Sequence, residues 1–316
     1  MAEYKGIKGF KVQYLSADPS NPIIGQTWYN STSKDLKYTG VTTAGTWATV
    51  NSMNTARGFL VGAGTQTAAL AFGGNTPTPP ATGATEEYDG TSWVNSNPLN
   101  TARAEFAGCG TQTAGLGFGN LSATEEYDGN SWTNSNPLNT GRYGLGGLGI
   151  QTAGLAFGAQ PFSGATEEYD GTSWTASNPL NTARSAVAGA GIQTAGLAFG
   201  GQPATGATEE YNGSTWTTSP GSLNTARFGL GGAGIQTAAL AFGGFTGTVS
   251  TGSTELYDGT SWATNPGSMN TARNLLGSAG TQTSALAFGG SVPPYTAATE
   301  EYIGPGAPTT KTITVS

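Results

Sequence analysis

Residues 180–184 read Leu-Asn-Thr-Ala-Arg, and this pentapeptide precedes a stretch of small residues, an apolar stretch and the pair Gly200-Gly201. The arrangement occurs six times, with successive arginines 46, 39, 42, 43 and 46 residues apart. The six arginines, called the repeat arginines below, are Arg57, Arg103, Arg142, Arg184, Arg227 and Arg273. A period of this length indicates an array in which each copy is one supersecondary unit.

Each copy is predicted to hold four short strands. In the fourth copy they are Arg184–Ala190, Thr194–Phe199, Thr208–Tyr211 and the segment around Trp216. Four short strands per repeat are typical of one blade of a β-propeller. The third residue after each repeat arginine is large and apolar and is expected in the core. The fourth is mostly small and, by strand alternation, is expected to face a central channel.

The ends of the array predict how it closes. The last copy ends at residues 302–304 without a tryptophan, whereas residues 46–49 contain Trp47 with no complete blade before them. We therefore expect the strand around Trp47 to complete the sixth blade, which removes an exposed sheet edge. This predicts a propeller over residues 46–304, an N-terminal module over 1–45 and a tail over 305–316 that can add a strand.

The repeat resembles the kelch repeat. The resemblance is carried by Phe199-Gly200-Gly201, Tyr169-Asp170, Trp174 and Arg184 and by their counterparts in the other copies. It implies an all-β, six-bladed kelch-like propeller. Four residues depart from the pattern, with altered turns expected beside them: Asn120, Ala159, Asn212 and Ile303.

The N-terminal module has a different composition and contains a predicted β-hairpin, in which residues 26–29 face residues 36–38. The residues that form its motif are Gly25, Trp28, Tyr29, Asn30, Leu36, Lys37, Tyr38 and Trp47. The motif resembles hairpins near the particle-attached ends of phage tail-fibre and virion proteins, and the repeat style of the larger part of the chain resembles structural proteins of marine cyanophages. The resemblance implies attachment to other virion proteins, with Lys5, Lys8, Lys11, Trp28 and Tyr29 as candidate contacts.

Composition excludes several classes of function. The chain has no His and a single cysteine, Cys109, which stands where other copies have Ala and is expected to be a packed thiol. The formal charge is −7, and the acidic body argues against nucleic-acid binding. No apolar run is long enough to span a membrane, and residues 1–10 lack the apolar core of a signal peptide. No metal or cofactor is expected.

Each copy also carries one carboxylate that matches its arginine. These are Glu86, Glu125, Glu167, Glu209, Glu255 and Glu300. We expect each to form a partly buried, bidentate structural pair with a repeat arginine. In five copies a second glutamate follows directly, but neighbouring strand residues point to opposite faces, which argues against a two-carboxylate glycosidase. A sialidase motif is incomplete, and a copper oxidase lacks histidine ligands.

The copies differ mainly in the link between their second and third strands. Loops on a rigid scaffold often carry binding, so these links hold the candidate receptor-binding residues. The candidates are Gln160, Phe162, Gln202, Phe245 and Tyr295. Glu105 is a second irregularity, because no other copy has an acid two residues after its arginine, and it is expected to point toward the channel.

These features predict a non-enzymatic phage virion protein, made in the host cytoplasm and present in several copies per particle, that binds a host-surface glycan or protein. The candidate positions in the particle are the tail fibre, another part of the tail and the capsid surface. Two alternatives remain open. One is a kelch-type interaction scaffold or bacterial surface adhesin, and the other is a glycan-active enzyme.

Overall fold

The computed structural model describes residues 12–20, 23–41, 44–78, 81–306 and 308–313. This described part is all-β and contains no α-helix. The strands are β1 Gln13–Leu15, β2 Thr27–Asn30, β3 Asp35–Val41, β4 Thr46–Val50, β5 Val61–Thr65, β6 Ala68–Phe72, β7 Thr85–Tyr88, β8 Trp93–Ser96, β9 Phe106–Gly110, β10 Gly115–Gly119, β11 Thr124–Tyr127, β12 Trp132–Ser135, β13 Gly146–Ile150, β14 Ala153–Ala159, β15 Ser163–Tyr169, β16 Trp174–Ser177, β17 Ala188–Ile192, β18 Ala195–Phe199, β19 Thr208–Tyr211, β20 Trp216–Thr218, β21 Gly231–Ile235, β22 Ala238–Phe242, β23 Thr254–Tyr257, β24 Trp262–Asn265, β25 Gly277–Gly280, β26 Ser284–Phe288, β27 Thr299–Ile303 and β28 Pro308–Thr312. They belong to two compact units, one of residues 1–45 and 304–316 and one of residues 46–303.

The smaller unit is a four-stranded sheet in the order β1-β2-β3-β28. Strands β2 and β3 form the predicted hairpin, with Trp28 opposite Lys37, and the tail adds β28 as an antiparallel edge strand. The Trp28 side chain is fully buried, and its indole N–H donates to Asp18, which also forms an ion pair with Lys37. Hydrogen bonds from Lys37, Asn30 and Trp28 lower the pKa of Asp18 to about 2.

The larger unit consists of six four-stranded antiparallel sheets, which are compatible with the blades of a β-propeller. Five sheets contain four consecutive strands each: β5–β8, β9–β12, β13–β16, β17–β20 and β21–β24. The sixth is β25-β26-β27-β4, with Trp47 of β4 directly opposite Tyr302 of β27. We number these sheets 1 to 6 in that order.

Two side-chain hydrogen bonds recur between neighbouring sheets. In each sheet the fourth-strand tryptophan donates its indole N–H, over 2.9–3.0 Å, to a threonine in the third strand of the preceding sheet. The pairs are Trp93–Thr299, Trp132–Thr85, Trp174–Thr124, Trp216–Thr166, Trp262–Thr208 and Trp47–Thr254. A glutamine in each turn between first and second strands likewise donates to two carbonyls of the preceding sheet, and Gln66 of sheet 1 reaches Ala285 and Tyr302 of sheet 6. The contacts therefore run through all six sheets in cyclic order.

The first strands pack differently from the sequence-based expectation. Leu60 and its counterparts three residues after each arginine are buried as expected. Small residues at the next position border the space between the first strands, as Ala107 and Gly146 do, but they also pack between sheets, because Val61 is buried in a cluster with Leu70, Phe106 and Trp132. Close packing against an aromatic ring of the same sheet also limits the size of the residue at this position. At Gly231 a Cβ atom would lie 2.4 Å from the Phe242 ring of the same sheet.

Every repeat arginine forms a buried ion pair with the first glutamate of its own copy. The pairs other than Arg184–Glu209 have N–O distances of 2.7–3.2 Å. They are Arg57–Glu86, Arg103–Glu125, Arg142–Glu167, Arg184–Glu209, Arg227–Glu255 and Arg273–Glu300. These pairs are more deeply buried than the sequence suggested, with side-chain exposures of 0–4%.

The Arg–Glu pairs are not bidentate, because the arginine and the glutamate each also form hydrogen bonds with backbone groups. Arg184 donates from Nη1 to Glu209 and from Nη2 to the Ala198 carbonyl at 3.4 Å. Glu209 in turn accepts from the backbone N–H groups of Asn181 and Thr182, at 2.7 and 3.3 Å. The pentapeptide is thus held on its own sheet by one carboxylate. Burial lowers the pKa of Arg184, and the nearby charge of Glu209 opposes this effect.

The second glutamate of each pair has its own partner. It accepts a hydrogen bond from the tyrosine hydroxyl of the following sheet. The five bonds are Tyr127–Glu87, Tyr169–Glu126, Tyr211–Glu168, Tyr257–Glu210 and Tyr88–Glu301. Leu256 replaces the sixth glutamate, and the hydroxyl of the buried Tyr302 has no hydrogen-bond partner among the described residues.

Replacing Arg184 with Met is expected to reduce the free energy of unfolding by about 3–5 kcal/mol, because Glu209 would remain buried without a countercharge. Urea denaturation of the full chain measures this. The double variant Arg184→Met/Glu209→Gln removes the uncompensated charge and should recover part of the loss. An unchanged unfolding midpoint in the single variant would contradict a stabilising role for the pair.

A second prediction concerns the hydroxyl of Tyr302, which has no hydrogen-bond partner among the described residues. Tyr302→Phe should leave stability unchanged or increase it, whereas Tyr169→Phe should cost about 1.5–3 kcal/mol, since Tyr169 donates to a carboxylate. In a Leu256→Glu background, Tyr302→Phe should become destabilising, because the new carboxylate supplies the missing acceptor. Thermal melts of these variants provide the comparison, and equal losses for the two Tyr→Phe substitutions would refute it.

Candidate functional site

The links that differ between copies lie at the same end of the sheets as the repeated pentapeptides. In four of the copies one backbone bridge joins the residue after the pentapeptide to the link: Gly58 with Asn75, Ser185 with Gln202, Phe228 with Phe245, and Asn274 with Ser291. We call this end the link face. It is formed by the pentapeptides and by residues 75–78, 81–84, 120–123, 159–165, 201–207, 245–253 and 291–298. The Asp-Gly turns lie at the opposite end, because they join the third and fourth strands.

A set of equivalent residues, the second after each repeat arginine, lies at this end. These rim residues are Phe59, Glu105, Gly144, Ala186, Gly229 and Leu275. All have a left-handed backbone, with φ between 48° and 64°. Such values cost energy for any residue with a side chain, so contacts elsewhere must impose them.

Hydrogen bonds between neighbouring sheets impose this geometry. The N–H of a rim residue donates to the carbonyl of the preceding sheet's rim residue, as in Ala186 to Gly144 at 2.7 Å. Five of these bonds form, including one from Phe59 of sheet 1 to Leu275 of sheet 6 at 2.9 Å. Among the described residues, the Glu105 N–H does not make the sixth. The set is therefore interrupted only beside Glu105.

The rim residues surround a cavity of about 360 Å³. Besides the six rim residues, the large apolar residues that follow them in sequence line it. Gln160, Gln202 and Phe228 complete the lining. A second cavity, of about 220 Å³, is bordered by the first strands of all six sheets and is lined mainly by Gly and Ala. The lining of the 360 Å³ cavity therefore offers more kinds of side chain for binding than that of the 220 Å³ cavity.

Two of the five receptor-binding candidates meet in this cavity. The Gln160 side-chain amide donates to the Gln202 carbonyl oxygen at 3.0 Å. Phe245 packs edge-on against Phe228, with ring centroids 5.5 Å apart.

The other two candidates lie further out. Tyr295 packs edge-on against the rim residue Phe59, with centroids 6.4 Å apart, and both Tyr295 and Phe245 are half-buried rather than freely exposed. Phe162 is 46% exposed, in the loop between β14 and β15, and does not line the cavity.

The attachment candidates of the smaller unit differ in accessibility. Trp28 has no exposed surface, because it is the core of its own sheet, and so its side chain cannot contact a partner. Tyr29 is half-buried and stacks on Tyr14, which is 74% exposed. Lys5, Lys8 and Lys11 lie outside the described residues.

The other side chains that could be reactive have structural roles in the fold. Cys109 is buried in the core of sheets 2 and 3, and burial raises the pKa of its thiol to about 12. Asp170 accepts hydrogen bonds from Thr172 and Ser173, which holds the Asp-Gly turn. In the part of the chain that the structure describes, no cluster of three or more metal-ligating side chains occurs, and no helix could cross a membrane.

Two features of the larger unit were missed from the sequence. The position of the rim residues was noticed only through Glu105, and their shared left-handed backbone and mutual hydrogen bonds were missed because the residue types vary from Gly to Phe. The glutamines that join the sheets were overlooked although Gln occurs at the same place in every copy: Gln66, Gln112, Gln151, Gln193, Gln236 and Gln282. Comparison with known protein families and with curated sequences finds no match to this chain.

Proposed function

We propose that residues 46–303 form a closed six-bladed propeller of the kelch type. Two cyclic sets of contacts, the indole bonds and the glutamine bonds, support this proposal, and the five rim bonds also connect sheet 1 to sheet 6. The pairing of β4 with β27 also agrees with a ring whose two chain ends share one sheet. The Arg, Gly-Gly, Tyr-Asp and Trp positions favour the kelch type.

The proposed function of this propeller is binding through its link face, without catalysis. One observation carries the proposal. The pairs and hydrogen bonds that build the sheets repeat around the unit, whereas the residues at the link face differ from copy to copy and surround a cavity. A rigid, repeated scaffold with one variable end is the usual arrangement of a recognition module. The exposed Phe162 and the amides of Gln160 and Gln202 suit a glycan or a protein surface.

We further propose that the chain is a phage virion component that displays this face toward the host cell. The support is the resemblance of the hairpin motif to those of tail-fibre proteins, and β2 and β3 pair as the antiparallel hairpin that the sequence predicts. The smaller unit would contact other virion proteins, with several copies per particle. Removing residues 1–45 distinguishes this proposal from an interaction scaffold. The truncated chain should still bind its receptor but should not enter particles, provided circular dichroism shows that it folds.

Binding to host cells by the full chain should depend on Phe162. Phe162→Ala is expected to weaken binding roughly five- to thirty-fold, equivalent to about 1–2 kcal/mol, because truncation of an exposed aromatic anchor commonly costs this much at an interface. Flow cytometry with fluorescently labelled protein measures the apparent Kd. Because Phe162 is not part of a core cluster, the melting temperature should not change.

The matched control is Ile192→Thr, at the opposite end of the sheets. Ile192 is 51% exposed, and the equivalent position is Thr in three other copies, so this substitution removes exposed apolar surface without disturbing the strand. It should leave binding unchanged. If both variants bind like the original chain, Phe162 has no part in recognition. If neither binds and the original chain does not bind either, the binding function itself is refuted.

A further inference from the structure

The cavity at the rim contains one ionisable side chain among its described lining residues, that of Glu105. This carboxylate is half-buried and forms no hydrogen bond or ion pair with any described residue. The other copies have Phe, Gly, Ala, Gly and Leu at the same place, so the scaffold does not require an acid there. Glu105 also has a left-handed backbone, with φ of 56°. An unpaired carboxylate is therefore held at a position where five uncharged residues serve the fold equally well.

The charges of the larger unit cannot neutralise Glu105. Residues 46–303 contain six basic residues, all of them repeat arginines, against sixteen acidic residues. Each arginine is already buried in its ion pair with a first glutamate. A partly desolvated carboxylate attracts a cation more strongly than one in bulk water. A cation that pairs with Glu105 would therefore have to come from outside residues 46–303.

The rest of the lining indicates what kind of cation fits. Gln160 and Gln202 use one donor and one acceptor in their mutual hydrogen bond, which leaves a carbonyl oxygen and amide N–H groups for a ligand. Phe59, Phe228 and Leu275 supply apolar surface beside these polar groups. Hydroxyl groups with an apolar ring face match such a lining, whereas the stem of a lysine side chain would leave the amides unused. A lone carboxylate also provides too few ligands for a calcium ion.

We propose that this cavity binds an amino-sugar residue with a free ammonium group, presented by a cell-surface polysaccharide. Glu105 accepts hydrogen bonds from the ammonium group, Gln160 and Gln202 bind ring hydroxyls, and the apolar rim residues pack against the C–H face of the ring. This inference rests on the proposed binding function and specifies its ligand class. Phe162 and the outer loops then contact neighbouring sugars of the same polymer.

The test is isothermal titration of the full chain with three trisaccharides. At mildly acidic pH, fully deacetylated chitotriose carries ammonium groups, N-acetylated chitotriose carries neutral amides at the same positions, and cellotriose carries hydroxyls. The deacetylated sugar should bind at least about tenfold more tightly than the other two, because a charge-assisted hydrogen bond is stronger than a neutral one. The preference should decrease as salt is raised.

Glu105→Gln and Glu105→Ala should both abolish the preference for the deacetylated sugar. Ala is already accommodated at Ala186 with φ of 48°, so the second variant is expected to fold. The control Asp170→Asn removes one charge at the far end of the sheets and should retain the preference. Asn212 occupies the equivalent turn and makes the same backbone hydrogen bonds, so the turn should persist.

Three outcomes would overturn this inference. The first is equal affinity of the original chain for all three sugars. The second is a preference that survives both Glu105 substitutions. The third is trilysine binding as tightly as deacetylated chitotriose, which would assign the cavity to a basic peptide. Each of these outcomes leaves Phe162-dependent binding to host cells intact, whereas loss of that binding in the original chain would refute the proposed function itself.

Discussion

The larger unit depends on a charge pair that is buried once per sheet. Glu209 receives both the guanidinium of Arg184 and the backbone N–H groups of the pentapeptide, so a single carboxylate fixes the entry of the chain into each sheet. A buried pair of this kind is sensitive to the loss of either partner. The sequence of the pentapeptide can therefore change little from copy to copy. The copies differ mainly in the links beside it.

This confinement explains why function is best sought at one end of the sheets. The Trp–Thr, Gln–carbonyl and most of the Tyr–Glu contacts repeat in cyclic order and have structural roles. At the link face the repetition ends, and the same backbone position holds Phe, Glu, Gly, Ala, Gly and Leu in turn. A cavity bordered by five different residue types at six equivalent positions can distinguish ligands, which a perfectly repeated cavity could do only weakly.

The strands and the buried arginines could be predicted from the sequence because the same pattern recurs at the same place in six copies. A pattern seen in one copy alone would have been ambiguous. The assignment of the Trp47 strand to the last sheet followed from counting incomplete copies. The surroundings of the fourth residue after each repeat arginine could not be predicted. Strand alternation shows that successive side chains point to opposite faces of the sheet, but it does not show what each face packs against. Val61, for example, packs against another sheet. Likewise, Trp28 looked like a contact residue from its motif, and only the fold shows that it is the core of its own sheet. Glu105 was expected to point toward a central channel, but the rest of the cavity lining could not be predicted, because it comes from segments far apart in the chain.

Native-state hydrogen exchange of the full chain tests the central claim, that the six sheets form one closed unit. An open array would fray from its terminal sheets, whereas a closed ring has no terminal sheet and opens as a whole. We therefore predict that the amides of β4 and β27 exchange with the same free energy of opening as those of sheets 2 to 5. Exchange of β4 through a separate, much lower-energy opening would show that residues 46–50 do not complete the sixth sheet and would contradict the account.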